Sequence, residues 1–179
     1  MKTFLTSLAC LLLFGTTVFT QPSASATAAK SLIQALESSG LEAIATIDPT
    51  EPGAFIAALH IKGGQLLVVR AHHPSADAVN ARLAAAQYRD VYIDLQATPA
   101  MKGKWFLMDT GADGLPAPSE DAANVDVLYE DGTTQTMFNG ARAQKMSDAA
   151  YAQKLKDADA HYARLLQVLI AAAQNTERP

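Results

Sequence analysis

The chain has almost no cysteine and few charges. Its one cysteine among 179 residues is Cys10, which lies in an apolar N-terminal stretch, so the rest of the chain has neither a disulfide nor a thiol to use. Charged residues make up only 18% of the chain, and the formal net charge is −4 with both signs mixed along the sequence. Nucleic-acid binding needs a basic face, so this pattern argues against a nucleic-acid partner.

The first 26 residues have the composition of an export signal. Lys2 supplies the positive start, Leu5 to Thr20 carries no charge, and Ala24 and Ala26 are the small residues that a signal peptidase recognises. We therefore expect cleavage after Ala26, which leaves residues 27–179 as one domain, periplasmic or secreted. The apolar run is shorter than the ~20 residues that cross a bilayer, so a retained membrane anchor is the weaker alternative.

The remaining sequence predicts short strands with helices between and around them. Ala28–Ser38 has helical spacing and is followed by Gly40, a suitable helix C-cap. Ser75 and Ser147 are predicted N-caps of a helix to about Gln87 and of a long C-terminal helix. The predicted strands are Leu41–Ile47, Ala54–Ile61, Gln65–Arg70, Val91–Leu95, Lys104–Met108, Val125–Tyr129 and a weaker one through Phe138.

This order predicts an α+β fold with an antiparallel, split-barrel-like sheet, a mid-sheet helix and helices at both ends. From Ala28 to Leu115, the order of elements resembles the split-barrel fold of the pyridoxamine 5'-phosphate oxidase and flavin reductase families. The middle of the chain also resembles small exported bacterial proteins with no assigned activity.

The split-barrel resemblance implies an FMN site around the third strand and the helix after it. Arg70 would pair with the FMN phosphate, and backbone N–H groups near Ser75 would donate to it. Asp77 lies in the first turn of the same predicted helix, where its charge would repel a phosphate. FMN is therefore the cofactor to test, and Arg70 and Ser75 are its predicted contacts.

Asp109-Thr110-Gly111 resembles the active-site segment of retroviral-type aspartic proteases. In that family two such loops bring their carboxylates together to share a proton, which makes Asp109 the candidate catalytic residue. The later apolar-apolar-Gly-Arg segment of the family is missing from this sequence. The other interpretation is a polar turn, in which Asp109 and Asp113 accept local backbone N–H bonds while Gly111 and Gly114 take positive φ.

The sequence predicts no metal site. His72 and His73 are adjacent and would point to opposite sides of an extended segment. In the last helix, Asp157 and His161 share one face, but no third ligand accompanies them.

Aromatic side chains, Trp105 and Phe106 among them, would suit a ligand pocket, but aromatic residues at strand spacing more often fill a core or a dimer interface. The apolar stretch Leu165–Ala173 must pack on the sheet or on a second copy, so a homodimer is expected.

We expect an exported, non-catalytic binding or interaction module. An FMN-binding protein or flavin-dependent oxidoreductase is the first alternative, and an aspartic protease is the second.

Overall fold

The computed structural model describes residues 23–51, 53–72, 102–115, 125–131, 134–138 and 146–176. These residues form two helices and six strands: α1 (Ala24–Ser38), β1 (Ala43–Ile47), β2 (Ala54–Ile61), β3 (Gln65–His72), β4 (Lys102–Thr110), β5 (Asp126–Glu130), β6 (Thr134–Phe138) and α2 (Asp148–Thr176). The strands pair antiparallel in the order β1-β2-β3-β4-β5-β6, which is an open meander. The predicted α+β class with an antiparallel sheet is confirmed.

The hairpin between β2 and β3 follows directly from local sequence. Ile61 pairs with Gln65, and the turn between them places Gly63 at φ 110° and Gly64 at φ 115°. Such positive φ values are open to glycine at little cost, whereas a residue with a Cβ would be strained. The bounds of β2 are those that the sequence predicts, and β3 runs two residues further, to His72.

Helix α1 begins four residues before the predicted start. Ser23 is its N-cap, and the Ser23 hydroxyl accepts a hydrogen bond from the Ala26 N–H at 3.1 Å. The helix end is as predicted, since Gly40 follows with φ 66° and the Leu41 N–H donates to the Leu36 carbonyl at 2.8 Å. Residues 24–26, which the sequence analysis assigns to the leader, are therefore helical.

Both helices pack on one face of the sheet. The main core joins α1 and α2 side chains to alternate strand residues, including Ile56, Val68 and Leu107, all buried. A second cluster, with Phe55, Ala57 and Val69 among its members, contains the intervening residues and therefore lies on the opposite face. This arrangement sets α2 across the sheet, where its polar residues meet the ends of the strands.

Helix α2 has the predicted cap, because the Ala150 N–H donates to the Ser147 hydroxyl at 3.3 Å. Within the described ranges, neither helix is long and apolar enough to span a membrane. The helix predicted from Ser75 and the strand predicted at Val91–Leu95 lie outside the described residues.

Candidate ligand-binding site

Hydrogen bonds to the carboxylate of Asp109 hold the loop that follows β4 in place. Asp109 Oδ2 accepts hydrogen bonds from the Gly114 N–H and from the Tyr162 hydroxyl, both at 2.9 Å, and Oδ1 accepts one from the Asp113 N–H at 3.2 Å. Gly111 and Gly114 have φ values of 101° and 87°. The turn interpretation of this motif is therefore confirmed for Asp109 and for both glycines.

This geometry gives the aspartic protease hypothesis no support. The Asp109 side chain is 0% exposed, and α2 covers it through Tyr162. A protease carboxylate has to reach a bound peptide and a water molecule, whereas that of Asp109 is enclosed by three donors from its own chain.

A second buried carboxyl group lies close to Asp109. Asp126 Oδ1 accepts the Thr110 N–H at 2.8 Å, while its Oδ2 is buried and has no hydrogen-bond partner among the described residues. Burial and the charge of Asp109 together raise the pKa of Asp126 to about 8, with burial the larger cause. Burial also raises the pKa of Asp109 to about 7, against the opposing effect of its hydrogen bonds. Both carboxyl groups therefore hold a proton at a pH where an ordinary carboxyl group is ionised.

Arg70, the predicted phosphate contact, belongs to an ion network centred on Asp48. The Arg70 Nε–H donates to Asp48 Oδ2 at 2.8 Å, and its Nη2 pairs with Glu51. Arg164 of α2 also pairs with Asp48, with both guanidinium nitrogens 3.1 Å from its carboxylate oxygens. The Asp48 side chain is fully buried, and these partners hold its pKa below the usual range despite the opposing effect of burial. To bind a phosphate, Arg70 would have to leave two carboxylates.

The other predicted contact, Ser75, lies outside the described residues. The acidic residues and the histidine of the last helix have different partners and do not meet at one point. Asp157 accepts a hydrogen bond from Gln153, Asp159 accepts one from Ser25, and the His161 ring packs against Trp105. In the described part of the chain, no group of three metal-ligating side chains comes together.

A cavity of about 380 Å³ lies between α2 and the strands β4 and β5. Its floor is formed by Trp105, Leu128 and Ala158, and its rim by the Lys154–Glu130 ion pair, Asp157 and His161. Lys154, Ala158 and His161 share one helical face because they are spaced by four and three residues. The volume falls within the roughly 300–1,000 Å³ of small-molecule sites.

His161 and Trp105 form a corner of this cavity. Their ring centroids are 5.1 Å apart and the rings are inclined by 67°. Burial, with a smaller effect of the nearby cations Arg164 and Arg70, lowers the pKa of His161 to about 4. The imidazole is therefore neutral at pH 7, with one N–H donor and one nitrogen acceptor, and no described residue hydrogen-bonds to either nitrogen.

Two other hollows are less suited to a ligand. One of about 610 Å³ lies along α1 beside Asp113, and one of about 250 Å³ lies near His60. The described residues that line them include no tryptophan, tyrosine or phenylalanine. The cavity at Trp105 is therefore the candidate site.

From the sequence, Trp105 suits a pocket but more often such a residue fills a core or a dimer interface, and His161 is only a possible metal ligand without a third partner. In the structure Trp105 belongs to the main core and also lines the cavity. Phe106, the other aromatic residue named with Trp105, packs against the cluster on the opposite face of the sheet. Asp48, Arg164 and Tyr162 were not predicted to share contacts, because they are brought together from distant parts of the chain. The one local signal was Asp48 itself, an acidic residue directly after a strand.

Comparison of the chain with protein-family models, with curated proteins and with solved structures gives no match. The site geometry is therefore the basis for inferring a function.

Proposed function

We propose that the protein is a non-catalytic binding module that takes a small, flat, polar compound into the cavity at Trp105. The observation that carries this proposal is the neutral imidazole of His161, which meets the Trp105 ring and lines the cavity without a hydrogen-bond partner among the described residues. Neither His161 nitrogen is a buried unpaired atom, so a ligand would replace water at a polar group that borders the cavity.

The chemistry of the lining supports a heteroaromatic ligand. Trp105 offers an aromatic surface for ring contact, while His161 offers one hydrogen-bond donor and one acceptor. The Lys154 and Glu130 charges neutralise each other, and Asp157 is already hydrogen-bonded to Gln153. A neutral or weakly cationic ring compound fits this lining better than a phosphate or another strong anion.

The same lining favours binding over catalysis. None of the described residues that line the cavity is a serine, threonine or cysteine nucleophile. A histidine with a pKa of about 4 is a weak base, because general bases work best when their pKa lies near the operating pH.

The chain has one tryptophan, so its fluorescence reports on this cavity alone. We expect uracil, cytosine or nicotinamide to change the Trp105 emission in a saturable titration. His161→Ala is expected to weaken the response at least tenfold, whereas Gln167→Ala, an exposed change on the same helix, leaves it unchanged. Equal responses in both variants, or no response to any probe, would overturn the proposal.

Four further hypotheses accompany this proposal. Export of the chain is supported by the composition of residues 1–26. A homodimer stays a hypothesis, but Leu165, Leu166, Leu169 and Ala173 of the apolar stretch are buried in the main core of the same chain and do not require a second copy. A split-barrel-like sheet with a mid-sheet helix is supported by element order, and FMN binding by that resemblance. Native mass spectrometry with an absorption spectrum tests the last of these, because a bound flavin adds its mass and absorbs blue light.

A further inference from the structure

Ser25 joins three separate parts of the described chain at one point. It lies in the first turn of α1 and is 0% exposed. Its hydroxyl donates to Asp159 of α2 at 2.5 Å and accepts the Leu115 N–H at 2.8 Å, and its own N–H also donates to Asp159, at 3.2 Å. We call Ser25, Asp159 and Leu115 the Ser25 junction.

The neighbouring backbone is packed as closely. Gly114 lies against the backbone of Ser25 and Ala26 with no room for a side chain, since an added Cβ would overlap the Ala26 nitrogen and Cα. Ser23, two residues before Ser25, caps the helix. Residues 23–26 are therefore packed as part of the domain, although they contain the Ala24–Ala26 pair that predicts cleavage by a signal peptidase.

Cleavage after Ala26 would remove these contacts together. The Leu115 N–H and the Asp159 carboxylate would lose their Ser25 partner, α1 would lose its cap, and the space beside Gly114 would open. Losing a buried hydrogen-bond partner and a helix cap each lower stability.

From this we infer that the mature protein retains residues 23–26, and that its N-terminus lies at or before Ser23. Export and processing remain compatible with this inference, because it concerns only the position of any cut. Ala24 and Ala26 are then residues of helix α1 and not a recognition site for the signal peptidase.

Intact-mass measurement tests this on protein made from the full-length gene and purified from the periplasm and the membrane fraction. The expected mass corresponds to a chain that starts at Ser23 or earlier. A chain that starts at any residue after Ser23 would overturn the inference.

Two variants of the full-length chain test the same inference without relying on the wild-type mass alone. Ala24 is exposed, so Ala24→Leu leaves the fold intact but removes the small residue three places before the predicted cut. We expect the same N-terminus as in the wild-type protein, whereas accumulation of uncut precursor would show that the peptidase reads Ala24.

Ser25→Ala is expected to lower the Tm of the purified protein by about 5 °C, because the lost bonds belong to the mature domain. Ser31→Ala, which removes an exposed bond within the same helix, is the matched control and should leave the Tm unchanged. If Ser25 were removed during maturation, the Ser25→Ala protein would have the wild-type mass and the wild-type Tm. Should Ser25→Ala fail to accumulate, the wild-type mass and the Ala24→Leu result decide the question.

Discussion

At the scale of single residues, the loop after β4 depends on Gly114 for two separate reasons. Its φ of 87° lies in the left-handed region, and its missing Cβ allows the backbone of α1 to approach. Gly40 shares only the first property, because its φ is 66° and nothing lies within 4 Å of the position of its absent Cβ. The two glycines therefore separate backbone strain from packing.

Gly114→Ala is expected to cost about 3 kcal/mol or more of unfolding free energy, the sum of positive-φ strain and overlap with Ala26. Gly40→Ala should cost only about 1 kcal/mol, from the strain alone. Urea denaturation of both variants measures the difference. Equal losses would mean that α1 is free to move away from the loop.

At the scale of secondary-structure elements, the Asp48 network connects the end of β1 to β3 and to α2. Asp48 follows directly after β1, Arg70 lies on β3 and Arg164 on α2. Its central carboxylate is fully buried, whereas Lys154 and Glu130 form a pair in which each side chain is 31% exposed. The buried Asp48 network and the partly exposed Lys154–Glu130 pair should therefore contribute very differently to the free energy of unfolding.

Asp48→Ala leaves two arginine side chains without their central partner, so we expect a loss of about 3–5 kcal/mol. Glu130→Gln breaks the exposed pair and is expected to cost about 1 kcal/mol or less, because water and salt screen it. Urea denaturation of both variants at low salt would show this, because urea is uncharged and does not screen the ion pairs. A small loss for Asp48→Ala would mean that the network adds little to the joining of β1 and α2.

The elements that could be predicted from sequence are those with local causes. The β2–β3 hairpin depends on Gly63 and Gly64, and the end of α1 depends on Gly40, all of which act within a few residues. The bonds of Asp109 to the Asp113 and Gly114 N–H groups are equally local. The sequence therefore predicts these turns correctly without any knowledge of the tertiary structure.

The parts that sequence reasoning missed depend on contacts between distant residues. The hydrogen bond between Tyr162 and Asp109 spans 53 positions, and that between Ser25 and Asp159 spans 134. Ser23 lies in a run of serine and alanine that is typical of a leader, so its capping role shows only when α1 is seen packed. The cavity at Trp105 likewise requires that α2 lie across β4 and β5.

At the scale of the whole molecule, buried ionisable groups set how stability depends on pH. The folded pKa values of Asp109 and Asp126, about 7 and about 8, lie above the 3.8 of an unperturbed carboxyl group. Between about pH 4 and 8 the folded chain therefore holds protons that the unfolded chain has released, so stability falls as pH rises. The lowered pKa of His161 makes stability rise with pH between about pH 4 and 6.5. This single group opposes the two carboxyl groups of Asp109 and Asp126, so the net trend is still a fall. Below about pH 4 the lowered pKa of Asp48 reverses the trend, because stability is lost as its carboxylate is protonated.

The chain should therefore be most stable in mild acid, and its urea midpoint should be higher at pH 5 than at pH 8. Asp126→Asn keeps the oxygen that accepts the Thr110 N–H but cannot ionise, so it should raise the midpoint at pH 8 and flatten the pH dependence. Glu37→Gln, an exposed change on α1, is the control and should follow the wild-type curve. A wild-type midpoint that is equal at the two pH values, or higher at pH 8, would contradict the raised pKa values. An Asp126→Asn curve parallel to that of the wild-type protein would assign the titration to another group.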